Sequence, residues 1–217
     1  MKRAAILLVL VLCGTAHAGI TRQTVNHAWQ TLSRAEGLGN IPLYFEADDD
    51  PNAWVLWQDD GTFTVHVTSG LMGVLMNEAE IAGVLGHEIG HVKLNHYSNI
   101  IITDTARTIM GANLDRTDIL SRTVGEIDAD LREASFSREQ ETDADNYGVA
   151  LLKRAGYDAW GLYNAMKRFD TSEHNGFSSH PASRERLANL ARQAGESTAR
   201  SGTHSEVDDI ASAIMGR

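Results

Sequence analysis

Two histidines four residues apart, with a glutamate directly after the first, form the segment best suited to chemistry: His87-Glu88-Ile89-Gly90-His91. Four residues turn a helix by ~400°, so the two imidazoles stand roughly 40° apart on one face and can grip a single metal ion. Imidazole nitrogen suits zinc. Glu88 projects beside them, where it can hold a water and take its proton but cannot itself ligate. Three protein ligands leave the open position that hydrolysis needs. The pattern therefore predicts a hydrolytic site with one Zn2+ per chain and a third ligand elsewhere.

That third ligand is not supplied by a simple extension of the motif. One class of zinc protease adds a glycine three residues and a histidine six residues after the second histidine. Leu94 and Tyr97 stand at those positions, so that class is excluded. His96, five residues after His91, falls on the far face of a continuous helix and reads as a surface or structural histidine. A carboxylate on a later helix is the remaining option, and residues 137–145 (SREQETDAD) hold several. Glu141 and Asp145 are four apart and share a face. One could ligate while the other accepts the free N–H of a ligating histidine.

These residues need elements to position them. Asn77 followed by Glu80 is a capping-box pattern that opens a long apolar helix over 78–97, with 98–113 continuing helical. Residues 21–36 form a helix with Val25, Ala28, Trp29 and Leu32 on one face. Residues 41–46 and the runs 53–57 (AWVLW) and 62–68 (TFTVHVT) are strands. Asp59-Asp60-Gly61 joins the last two as a hairpin turn. Helices are expected over 136–155, 158–169 and 182–194, while 114–133 has no clear pattern. The sum is α+β, mainly helical, with one small β-sheet. His66 alternates with Val65 and Val67 and faces away from the core. Gly83, Gly86 and Gly90 lie next to the histidine stripe, and each costs about 1 kcal/mol against alanine within a helix. Close packing of a neighbouring helix, the one carrying Glu141, would account for them.

Composition sets outer bounds. The 217 residues suffice for one well-buried core and not for two ordinary domains. A net charge of −10 argues against nucleic acid or anionic lipid as the main partner. Lys2 and Arg3, the apolar run 4–12 and Ala16-His17-Ala18 have the layout of an export signal cut after Ala18. Nine apolar residues fall short of the about 20 that span a bilayer. Lipid anchoring at Cys13 is the alternative, disfavoured because Leu12 stands where a small residue is wanted. The expected divisions are a signal peptide (1–18), a catalytic domain (19–195) and a polar linker with a short C-terminal helix or tail (196–217). The expected location is the periplasm, with no transmembrane segment in the mature chain.

Three stretches, GVLGHEIGHVKLNH, FSREQETDADNYGVALLKRAGYD and SSHPASRER, occur in order between Gly83 and Arg186. They resemble the M48 metallopeptidases, the HtpX/Ste24-like gluzincins, and most of all the small exported bacterial forms of the LoiP and BepA type. The resemblance implies a zincin-like (gluzincin) fold with zinc on His87, His91 and Glu141, Glu88 as catalytic base, and Asp145 behind a histidine. It implies that Phe63–Thr68, and within it Thr64, Val65, His66 and Val67, is the strand against which an extended substrate pairs. Asn52-Ala53-Trp54 resembles a family segment on the cleft edge. His180-Pro181 with Arg186 matches the family's H-P-x-x-x-x-R pattern. Arg186 could stabilise the oxyanion, and His180 could do the same or fill the fourth zinc position as a latch. Gly176, Ser178 and Ser179 suggest a mobile segment before it. The implied substrates are unfolded or misassembled polypeptides, in a quality-control role. A chaperone or assembly factor that binds extended chains with little turnover is the alternative, and association with the outer membrane or an envelope partner is left open beside either.

Overall fold

Thr21 opens the first helix, α1 (Arg22–Glu36), by accepting the Thr24 N–H on its hydroxyl at 3.1 Å. Gly37 closes it in the left-handed conformation, φ 66°, which glycine adopts without strain. Val25, Ala28, Trp29 and Leu32 are buried on the expected face. The computed structural model describes residues 19–57, 62–97, 136–171 and 180–199. The export signal, the Asp59-Asp60-Gly61 turn, the helix expected over 98–113, the segment with Gly176, Ser178 and Ser179, and the C-terminal tail from residue 200 lie outside them.

Three strands follow: β1 (Leu43–Glu46), β2 (Ala53–Trp57) and β3 (Phe63–Thr68). Their order is β1-β3-β2. β2 runs antiparallel to β3, as a hairpin requires, with Val55 opposite Val65. β1 lies parallel on the other side, with Leu43 opposite Val65 and Phe45 opposite Val67. This order overturns the expectation that Thr64, Val65, His66 and Val67 receive a substrate. A strand has two hydrogen-bonding edges, and β3 uses both on β1 and β2. His66 does turn from the Val65–Val67 core, but its ring is stacked between Tyr44 and Trp54, at 5.2 and 5.0 Å between centroids. Its nitrogens are taken by Glu46 at 2.7 Å and Thr64 at 3.0 Å.

Thr68 ends β3 and caps α2 (Ser69–Val74), a short helix with no strong signal in the sequence. Asn77 then caps α3 (Glu78–Lys93), accepting the Glu80 N–H at 3.0 Å. The Glu80 carboxylate reaches back to the Met76 N–H at 2.8 Å and forms a two-pronged pair with Arg168. Every residue from Glu80 to His91 is buried, because α3 runs through the middle of the molecule. It packs on α1, on β2, and on two later helices, α4 (Arg138–Ala155) and α5 (Gly161–Thr171). The last described helix, α6 (Arg184–Ala199), lies against α4 and α5.

The glycines of α3 mark where those helices approach. A Cβ on Gly86 would sit 3.4 Å from the Gly148 backbone of α4, and one on Gly90 would sit 3.0 Å from the Ala144 carbonyl. A Cβ on Gly83 would come within 2.5 Å of the Leu162 nitrogen, so this glycine serves α5 rather than α4. The helix ends at Lys93, four residues before the expected 97. Asn95 adopts φ 60°, a left-handed conformation that asparagine tolerates, and the chain turns.

Candidate metal centre

His87 and His91 enter from α3, Glu141 from the first turn of α4, and His180 from the segment just before α6. Ser137 and Gln140 form a capping box that starts α4 and fixes the rotation of Glu141. Glu141 points inward and is buried, while Glu139 on the same turn is exposed. The donor atoms of His87, His91, Glu141 and His180 all lie within 4.8 Å of one another.

The spacings inside this cluster are close and specific. His91 Nε2 lies 3.0 Å from His87 Nε2, which lies 3.3 Å from His180 Nδ1. His180 Nδ1 is 2.8 Å from Glu141 Oε1. Four donors around one tetrahedral zinc, each at ~2.0–2.1 Å, stand about 3.3 Å apart, so the set has the right size. Nitrogens that face one another in a buried space cannot all be satisfied by each other, since a neutral imidazole has one donor and one acceptor. Glu88 Oε1 and Glu141 Oε2 are also buried without an aligned hydrogen bond. A cation among these groups answers both problems, so the residues fit a zinc ion. Burial, together with the neighbouring imidazoles of His87 and His180, pushes the His91 ring well below its usual range. That keeps it neutral, the form that ligates.

Behind the cluster sits a buried frame. Asp145 Oδ1 lies 3.0 Å from His87 Nδ1, an ion-pair contact whose alignment falls short of a hydrogen bond. The same carboxylate takes Arg186 in two-pronged fashion, at 2.8 and 2.7 Å. Arg186 Nη1 also lies 2.7 Å from Glu141 Oε2 and donates to the carbonyls of His180 and Pro181, at 3.2 and 3.0 Å. Burial raises Asp145 and Glu141, but Arg186 and the facing histidines outweigh it and hold both below the usual carboxylate range. Arg186 is not the free cation expected for an oxyanion. Its donors are directed at two carboxylates and two carbonyls, so it fastens α4 to the His180 segment.

Glu88 is different. Burial pushes its carboxyl up to about 7, against the opposing pull of His87 and of the Tyr97 hydroxyl. Tyr97 donates to Glu88 Oε2 at 2.9 Å, and its hydroxyl also meets the Val55 main chain of β2. Glu88 Oε1 faces His180 Nε2 at 3.3 Å. A buried carboxylate held on one oxygen by Tyr97 and without an aligned hydrogen bond on the other suits proton transfer.

Two aromatic features had no clear signal in the sequence. Phe136, just before α4, covers the site with its ring 3.8 Å from the His91 ring centroid and stacks on His180 at 5.1 Å. His96 is buried, not on a far surface, because the turn at Asn95 brings it back beneath His91.

The sequence pattern of peptidase family M48 matches residues 20–194. The chain belongs to peptidase family M48. It is similar to Metalloprotease YcaL of Escherichia coli (strain K12), 34% identical over 173 residues that cover 72% of this chain and 65% of that protein. It is similar to Metalloprotease LoiP of the same organism, 31% identical over 135 residues, or 58% of this chain and 53% of that protein. Protease HtpX of Nitrosococcus oceani is 30% identical over 202 residues, covering 74% and 68%. The chain thus spans 65% and 53% of the lengths of the two E. coli relatives. Zinc is the metal of this family, and the buried cluster of this M48 chain can hold it. No helix among the described residues is long and apolar enough to cross a membrane.

Proposed function

We propose that this chain is a zinc-dependent endopeptidase of the cell envelope that cleaves unfolded or misassembled polypeptides. The observation that carries this reading is the placement of Glu88. It lies at the edge of a buried four-donor cluster, outside the ligand set, with one oxygen held by Tyr97. His87, His91 and Glu141 would hold the ion. Zinc, when bound, supplies a Lewis acid that polarises a carbonyl and acidifies water. Glu88 then takes the proton from the attacking water and delivers it to the departing amine. Asp145 and Arg186 keep His87 and Glu141 aimed. The envelope location rests on the expected export signal.

An extended substrate is proposed to pair along β2, in place of β3. Among the described strands β2 has a neighbour on one side, and Val55 brings it next to the Tyr97–Glu88 pair. Main-chain pairing of this kind tolerates many sequences, which suits unfolded substrates. His180 occupies the fourth position of the cluster, so the arrangement is proposed to be a closed resting state that opens when the His180 segment moves. A binder with little turnover has no need of a buried, oriented Glu88.

Digestion of unfolded casein by the purified chain tests the reading. Cleavage that stops with a chelator and returns with zinc is expected. Zinc-loaded protein that leaves casein intact, even with His180 replaced by alanine, would favour the binder.

A further inference from the structure

We infer that His96 is a positioning residue for the metal ligand His91, holding its ring from behind as Asp145 holds His87. The inference rests on the metal-centre reading above. A ligating imidazole needs its second nitrogen fixed, because that contact sets both the tautomer and the direction of the lone pair. His87 meets this need with Asp145 at 3.0 Å from Nδ1. Among the described residues no carboxylate is paired with the Nδ1 of His91. The atom found there is His96 Nδ1, at 3.0 Å. His91 Nε2 is turned into the cluster, 3.0 Å from His87 Nε2. With that nitrogen given to the metal, the hydrogen of His91 sits on Nδ1 and is donated to His96 Nδ1. His96 in turn carries its own hydrogen on Nε2.

The local backbone is arranged for this contact. α3 stops at Lys93, and the Leu94 and Asn95 amides bond back to the Gly90 and Val92 carbonyls at 2.9 and 3.1 Å. Asn95 takes φ 60°. The chain re-enters helical conformation at His96 and Tyr97, with both side chains directed back under α3. One turn therefore serves two groups of the site, His91 through His96 and Glu88 through Tyr97. The His91 and His96 rings meet edge to face, 5.0 Å apart.

The test measures zinc affinity of the purified full chain by competition with a chelating dye, for wild type, His96→Leu and His96→Asn. Far-UV circular dichroism confirms that each is folded. An asparagine oxygen can stand where Nδ1 stands and accept the His91 proton, whereas leucine cannot. His96→Leu should weaken zinc binding ~10–100-fold, as loss of a partner behind a ligand does, and His96→Asn should stay close to wild type. If His96→Leu does not fold, His96→Phe gives the same comparison. Wild-type affinity in the apolar variant, or an equal loss in both variants, would overturn the role. Wild-type protein that binds no zinc would overturn the metal centre itself, and the inference with it.

Discussion

Glu141 and Glu139 stand two residues apart on one helix turn, yet one is buried against three imidazoles and the other faces solvent. Glu141→Ala should therefore lower zinc affinity by more than the ~10–100-fold expected on losing a partner behind a ligand, as in Asp145→Asn. Glu139→Ala should leave it unchanged, and zinc stoichiometry after dialysis distinguishes the three. For His180 two roles predict opposite signs. As the fourth member of a closed set, His180→Ala should raise basal cleavage of unfolded casein. As an oxyanion donor it would lower kcat by up to ~10²–10³-fold with zinc retained. The 2.8 Å contact to Glu141 and the 3.3 Å contact to His87 favour the first. At this scale His87, Glu88 and His91 were legible from helical spacing, which also set Glu141 and Asp145 on one face, while the choice of Glu141 as ligand with Asp145 behind a histidine was implied by the resemblance. His96 was not. Its role depends on a left-handed turn at Asn95, and one asparagine in a polar run is too weak a stop signal to shorten a helix by four residues. The commitment of Arg186 to Asp145 and Glu141 was equally hidden, since it joins residues 41 and 45 positions apart.

Helix-to-helix distance is the quantity that the α3 glycines control. Gly83→Ala would drive a Cβ to 2.5 Å from the Leu162 backbone nitrogen, which cannot move without α5. A loss of ~1–3 kcal/mol is expected. Gly86→Ala meets the Gly148 backbone at an ordinary 3.4 Å and should be neutral or slightly stabilising, since alanine favours a helix. Urea unfolding of the two variants gives the ordering, and equal losses would mean that α3 does not sit as described. The elements themselves were mostly legible from periodicity, caps and the β2–β3 pairing. Strand order was not. Alternation identifies a strand and its inner face, but nothing local in 63–68 says that β1 will dock in parallel on its second edge. Only the long-range pairing of residues 43–46 with 65–68 removes β3 as a substrate strand.

The whole molecule is held around α3, and Glu36 is one of the ties. It receives Tyr147 and Arg154 of α4, the latter at 2.5 Å, and lies 3.3 Å from Lys93 at the end of α3. Burial raises Glu36, but these three partners outweigh it and hold it below the usual carboxylate range, while Tyr147 is pushed up to about 12. A carboxyl lowered in the folded state stabilises above its unfolded pKa, and that contribution fades as pH falls through the lowered folded value. Glu36→Gln should thus cost about 1 kcal/mol at neutral pH and progressively less under acid conditions, as read by denaturant unfolding at several pH values. The same frame keeps the metal cluster dry: α1, α4 and α5 close around α3, and Phe136 covers the imidazoles. Charge buried there without a metal would be costly, so metal-dependent chemistry at Glu88 is the central claim. The most direct measurement is casein cleavage by Glu88→Gln beside wild type, with zinc content determined on the same samples. Full zinc is expected in the variant, with a loss of turnover beyond the ~10²–10⁴-fold of an ordinary general base, because this group also positions the water. Cleavage within tenfold of wild type at equal zinc content would contradict it.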